Sequence, residues 1–134
     1  MRTLWLVTVL ILVLGLAACG GGPAPAGEGA GAGDVAAGEA LFNQGSIGTQ
    51  TGCMGCHSLE PGVTLVGPSL GNIGADAGSR VAGQTAEGYL HQSIVEPNAY
   101  VVEGFGAGIM PAGYGDELSA QQLNDLVAFL QSLK

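Results

Sequence analysis

Leu123, Leu126, Val127, Leu130 and Leu133 recur at steps of three and four residues up to the C-terminus, with Phe129 beside them. That is the period of an α-helix with one apolar face. Its start is marked as clearly: Ser119 stands at the N-cap, Gln122 completes a capping box, and Leu118 with Leu123 makes a hydrophobic staple. Lys134 lies at the negative end of the helix dipole. Two further helices follow the same logic. Asp34 caps one that begins Val35-Ala36-Ala37 and runs to about Asn43, where Gly38 and Phe42 share a face and the glycine permits close approach by a crossing helix. Thr85 caps another over roughly Ala86 to Glu96, stopped by Pro97, with Tyr89, Leu90, Ser93 and Ile94 turned inward. The expected class is all-α.

The beginning of the chain departs from this pattern. Met1-Arg2-Thr3 is a short positive start, Leu4 to Leu14 is almost continuously apolar, and Leu16-Ala17-Ala18-Cys19 closes the segment as an export signal does. The apolar run falls short of the ~20 residues a membrane-spanning helix needs. Leu-Ala-Ala-Cys resembles the bacterial lipobox, which implies cleavage before Cys19, lipidation of its sulfur and a lipid-anchored protein; an uncleaved signal acting as a marginal anchor is the alternative. Gly20 to Gly33 is Gly, Ala and Pro around one acid, Glu28, a composition that cannot bury enough apolar surface to order itself. The expected organisation is therefore a signal peptide over 1–18, a lipidated cysteine and flexible tether over 19–33, and a folded domain over 34–134. The tether would span ~20 Å if free, or lie ordered against partners in a permanent complex. Either way the domain is expected on the extracytoplasmic, periplasmic face of a bacterial cytoplasmic membrane.

Composition narrows the function. The 134-residue chain carries a formal charge of −8, and losing residues 1–18 would remove Arg2 and no acid. Nucleic acid is a poor partner for such a surface; a basic patch on a redox protein suits it, as does simple solubility. Only 5% of residues are aromatic, so a domain of this size has little core of its own.

Cys53-Met54-Gly55-Cys56-His57 supplies the missing piece. Two cysteines two residues apart, with histidine directly after, form the pattern for covalent attachment of one haem c. Each thiol adds across one vinyl group, and the histidine is held beneath the iron as its proximal ligand. A zinc site would want a second Cys or His pair, and a thioredoxin-like pair a βαβ context; neither is evident. Met54, tied between the cysteines, cannot reach the far side of the iron. Gly45 to Gly52 is a polar loop without an assigned role. Met110, in Gly106-Ala107-Gly108-Ile109-Met110-Pro111, is the distal candidate, because no helical or strand period surrounds it and the glycines let the backbone approach a porphyrin. His91 is its rival, but Leu90 and Ile94 define the buried stripe and turn it aside. Arg80 is either a solvated surface residue or a contact to a haem propionate.

The order Gly38-x-x-x-Phe42, CxxCH, Gly67-Pro68-Ser69-Leu70, Met110-Pro111 and a capped terminal helix resembles a monohaem class I cytochrome c over residues 34–134. The resemblance implies three to four helices wrapped around the haem, with crossing N- and C-terminal helices, and a Pro68 carbonyl that accepts a hydrogen bond from His57. It also implies His57 and Met110 as the two axial ligands. The stretch Tyr89-Leu90-x-x-Ser93-Ile94-x-x-Pro97, through Val101-Val102-x-Gly104-Phe105 to Met110-Pro111, looks like two relatives in particular. One is the cytochrome c domain of caa-type oxidase subunit II, which carries a cupredoxin domain; the other is the monohaem subunit of alternative complex III, which a separate lipoprotein fits better. With both axial positions filled, iron can only exchange electrons. The expected role is one-electron transfer, without substrate chemistry, beside a quinol-oxidising complex, a terminal oxidase or a soluble carrier. A free carrier, or a ligand-binding haem protein with a labile methionine, is the alternative.

Overall fold

Asp34 turns the incoming chain into the first helix. Its backbone is extended, and its carboxylate accepts a hydrogen bond from the Ala37 N–H at 2.9 Å, satisfying a donor that the first helical turn leaves free. In the computed structural model, which describes residues 31–134, α1 follows over Val35–Phe42. A hairpin of β1 (Ser46–Ile47) and β2 (Gln50–Thr51) comes next, with Ser46 opposite Thr51 and Ile47 opposite Gln50. A 3-10 turn at Cys53–Gly55 leads, after a long loop, to α2 (Ile73–Arg80) and α3 (Ala86–Val95). The one-turn α4 (Tyr114–Glu117) precedes the terminal α5 (Ala120–Ser132).

α1 crosses α5, and Gly38 is why they can touch. The glycine is buried so tightly that a Cβ would sit 2.0 Å from the Asp125 carbonyl oxygen. One turn on, Phe42 stacks at a tilt on Phe129, ring centroids 5.5 Å apart. Asp125 is itself buried at 8% exposure, and its Oδ1 accepts from the Asp34 N–H and from Gln121 Nε2, both at 2.8 Å. The terminal helix starts as its sequence demands. Ser119 Oγ accepts from the Gln122 N–H, the Gln122 side chain accepts from the Ser119 N–H, and Leu118 and Leu123 are both buried. Thr85 caps α3 through the Gly88 N–H at 3.0 Å.

The helix count is five among the described residues, not three to four. α2 contains Gly74 and Gly78, each ~1 kcal/mol worse than alanine in a helix, and Asn72 at its start makes no side-chain cap. Tertiary contact stabilises it instead: Ile73 and Ala77 are buried, and the Gly74 N–H donates to the Leu133 carbonyl at 2.9 Å. α4 is too short to show a period.

The expected signal segment 1–18, Cys19 and most of the expected tether lie outside the described residues. Residues 31–33 do not hang free. The Gly31 N–H donates to Gln121 Oε1 at 3.0 Å, the Gly31 carbonyl accepts from Asn124 Nδ2 at 3.1 Å, and a Cβ on Gly33 would meet the Asn124 carbonyl oxygen at 2.1 Å. No helix among the described residues is long and apolar enough to cross a membrane.

Candidate functional site

The 3-10 turn at Cys53 folds the backbone back on itself, with the Cys56 and His57 N–H groups both donating to the Cys53 carbonyl, at 3.1 and 3.0 Å. Cys53, Cys56 and His57 consequently line one cleft, whose walls are apolar side chains such as Phe42, Leu90, Ile94, Leu126 and Leu130. Burial in this wall pushes the Cys53 thiol above its ordinary pKa, against a smaller opposing hydrogen bond from the backbone. Met54, between the cysteines, is half exposed.

The chain after the motif returns across it. The Gly67 N–H donates to the Cys56 carbonyl at 2.9 Å and the Leu70 N–H to the Ser58 carbonyl at 2.8 Å. Gly67 packs against the imidazole, where a Cβ would come within 2.5 Å of His57 Cε1. Pro68 then presents its carbonyl oxygen 2.9 Å from His57 Nδ1. A carbonyl can only accept, so Nδ1 carries the proton and Nε2 keeps the lone pair a metal would take.

Met110 lines the same cleft, half-buried against the core. Its loop turns at Gly104 and Gly108, with φ of +89° and +77°, values side-chain-bearing residues rarely adopt, and the Gly108 N–H is held by Asn98 Oδ1 at 2.6 Å. Of the segment from Tyr89 to Pro111 singled out in the sequence, every named residue except Gly104 faces this cleft. His91 does not. It is exposed, and borders a separate groove with Glu87 and Gly31–Gly33. Arg80 reaches the cleft while bridging to Asp76 at 3.3 Å along the surface of α2.

Tyr114 belongs to the cleft wall and was not evident from the sequence. It is 6% exposed, and its hydroxyl donates to the Thr51 carbonyl at 2.6 Å. Burial raises its pKa, and charge on Cys53 and Cys56 adds to that; the cysteine contribution disappears once both sulfurs are thioethers. An aromatic three residues beyond a Met-Pro pair, in Gly113-Tyr114-Gly115, is the signal that could have found it.

Two thiols, an imidazole with Nδ1 held by the Pro68 carbonyl and a thioether, all lining one apolar cleft, suit a porphyrin iron better than a bare ion. Among the described residues, no three His, Cys, Asp or Glu side chains are grouped to hold a metal, so zinc finds no further ligands there. The residues fit haem c. Comparison with protein families matches residues 35–134 to the family described as "Cytochrome c". Among curated proteins and solved structures, nothing matches the chain. Because the matched span takes in every element from α1 to α5 and both cysteines of the attachment motif, the chain belongs to the cytochrome c family.

Proposed function

We propose that the chain carries single electrons on the outer face of a bacterial membrane through a haem c whose iron is held by His57 and Met110. It does so as a subunit of, or a carrier beside, a quinol-oxidising complex like alternative complex III. Covalent haem c and electron transfer follow from the family; the ligand pair, the address and the complex are the proposal. The observation that carries it is that His57 and Met110 line one cleft while His91 lies outside it.

When bound, haem supplies an iron that cycles between ferric and ferrous states. Cys53 and Cys56 hold the group as thioethers. His57 donates its Nδ1–H to the Pro68 carbonyl, a hydrogen bond that fixes the ring plane and would strengthen Nε2 as a metal ligand. As a ligand, the Met110 sulfur would favour the ferrous state and raise the potential, suiting a carrier late in a chain. With both positions taken, the protein would offer no coordination site to a substrate, and the apolar lining would disfavour water beside the group. Support for the complex comes from the Tyr89–Pro111 segment, and for the membrane address from Leu-Ala-Ala-Cys before residue 20.

Ferric holoprotein should show the near-infrared methionine-to-iron band, and Met110→Ala should abolish it and lower the potential, whereas His91→Ala should change neither. An unaltered spectrum and potential in Met110→Ala would remove the ligand assignment. Cys19→Ser should release the protein from its membrane, and gentle solubilisation of the native membrane should bring a quinol-oxidising complex down with the haem-stained band.

A further inference from the structure

We propose that Tyr114 and Glu117 are positioning residues: from the one-turn helix α4 they clasp the hairpin that leads into Cys53, and this clasp holds Met110 at the iron. The proposal rests on Met110 being the distal ligand.

Met110 lies in an irregular stretch between α3 and α4. Upstream it is restrained by the Asn98–Gly108 hydrogen bond. Downstream only Pro111, Ala112 and Gly113 separate it from α4, and one turn of helix cannot hold its own shape. The hairpin holds it. Tyr114 Oη donates to the Thr51 carbonyl at 2.6 Å from a buried ring. The Glu117 carboxylate accepts from the Thr49 N–H at 3.1 Å and also from the Thr49 hydroxyl.

The hairpin and α4 also lie close to each other between these bonds. Gly48 has φ +54° and a Cβ there would strike the Glu117 carboxylate at 1.9 Å, while a Cβ on Gly113 would strike Gln50 Nε2 at 2.5 Å. Thr51 stands two residues before Cys53, and Tyr114 four after Met110. The clasp therefore ties the covalent anchor on one side of the cleft to the loop bearing the sulfur. A thioether is a weak ligand held in place by its chain. Releasing the downstream end of that chain raises the small population in which the sulfur has left the iron.

The test is titration of ferric holoprotein with imidazole, which competes with the sulfur. Tyr114→Phe removes one hydrogen bond and keeps the ring, so its apparent imidazole affinity should rise about fivefold, the effect of one typical hydrogen bond on a two-state equilibrium. Glu117→Gln should shift it in the same direction, and Met110→Ala sets the ceiling. Asp34→Ala removes the cap of α1, whose bond to the Ala37 N–H is remote in sequence from the clasp, so it lowers overall stability and should leave imidazole affinity at the wild-type value. If Met110→Ala binds imidazole no more tightly than wild type, the ligand assignment fails and the clasp falls with it. If Met110→Ala binds tightly but Tyr114→Phe and Glu117→Gln match wild type, or Asp34→Ala rises as much as they do, the clasp is refuted and the ligand assignment survives.

Discussion

Gly38→Ala sets two effects of one methyl group against each other. In an isolated helix, alanine is favoured over glycine by ~1 kcal/mol. At this position the new Cβ would lie 2.0 Å from the Asp125 carbonyl oxygen, 2.5 Å from its carbonyl carbon and 2.8 Å from Phe129 Cβ. Carbon–oxygen contacts close at ~3.3 Å, so α1 must retreat from α5 by about 1 Å. That retreat also loosens the ring of Phe42 on Phe129. Overpacking of a tight seam costs ~3 kcal/mol at the upper end of its usual range, leaving a net loss of roughly 2 kcal/mol after the helix preference is counted. For a domain of this size the melting temperature of ferric holoprotein should fall by roughly 10 °C, followed by far-ultraviolet circular dichroism. Gly78→Ala is the paired control: its Cβ would meet nothing nearer than Ala86 Cβ at 3.8 Å, so the same chemistry should raise the melting temperature by about 5 °C. If Gly38→Ala proves as stable as wild type, the α1–α5 seam is not limited by backbone contact and the packing argument is wrong.

Gly67→Ala places a Cβ against the imidazole of His57 and should shift the reduction potential and the Soret maximum; unchanged values of both would mean the ring is not held by that contact. Haem-free Cys53→Ala/Cys56→Ala protein should lose most of its helical dichroism, because the apolar wall then has nothing to close on; native helix content would refute this. Glu117 is held below its ordinary carboxylate pKa, first by the Thr49 hydroxyl and then by the Thr49 N–H. A lowered carboxylate contributes stability above its unfolded value and loses it as pH falls through the folded one. The stability difference between wild type and Glu117→Gln should therefore be present at neutral pH and fade below about pH 4.5, the ordinary value. A difference that persists undiminished at lower pH would show that the charge is not its source.

Much of this was written in local sequence. Asp34, Thr85 and Ser119 announce their helices because a cap and its partner lie within three residues of each other, and Gly38 announces a crossing because its face also carries Phe42. The contact of His57 with Pro68 spans eleven residues, and became legible only through resemblance to a family. The features that escaped depend on distant partners. α2 has poor intrinsic preference and is stabilised by Leu133 and a buried face. The hairpin has strands of two residues each, too short for alternation to register, and its hydrogen bonds to α4 cross more than sixty positions. Residues 31–33 looked like a continuing tether because glycine and alanine have little to bury, yet here their backbone groups pair with side chains about ninety positions away.

The seating of those residues has a mechanical consequence. Asn124 and Ala128, which meet Gly31 and Gly33, lie about half a helical turn from Leu126 and Leu130, which face the cleft. A pull arriving through residues 31–33 is thus delivered to the back of α5 and spread into the glycine-lined seam with α1. The loops that carry His57 and Met110 take no part in those contacts, so such a pull falls first on the two helices and not on the turns that present these two side chains.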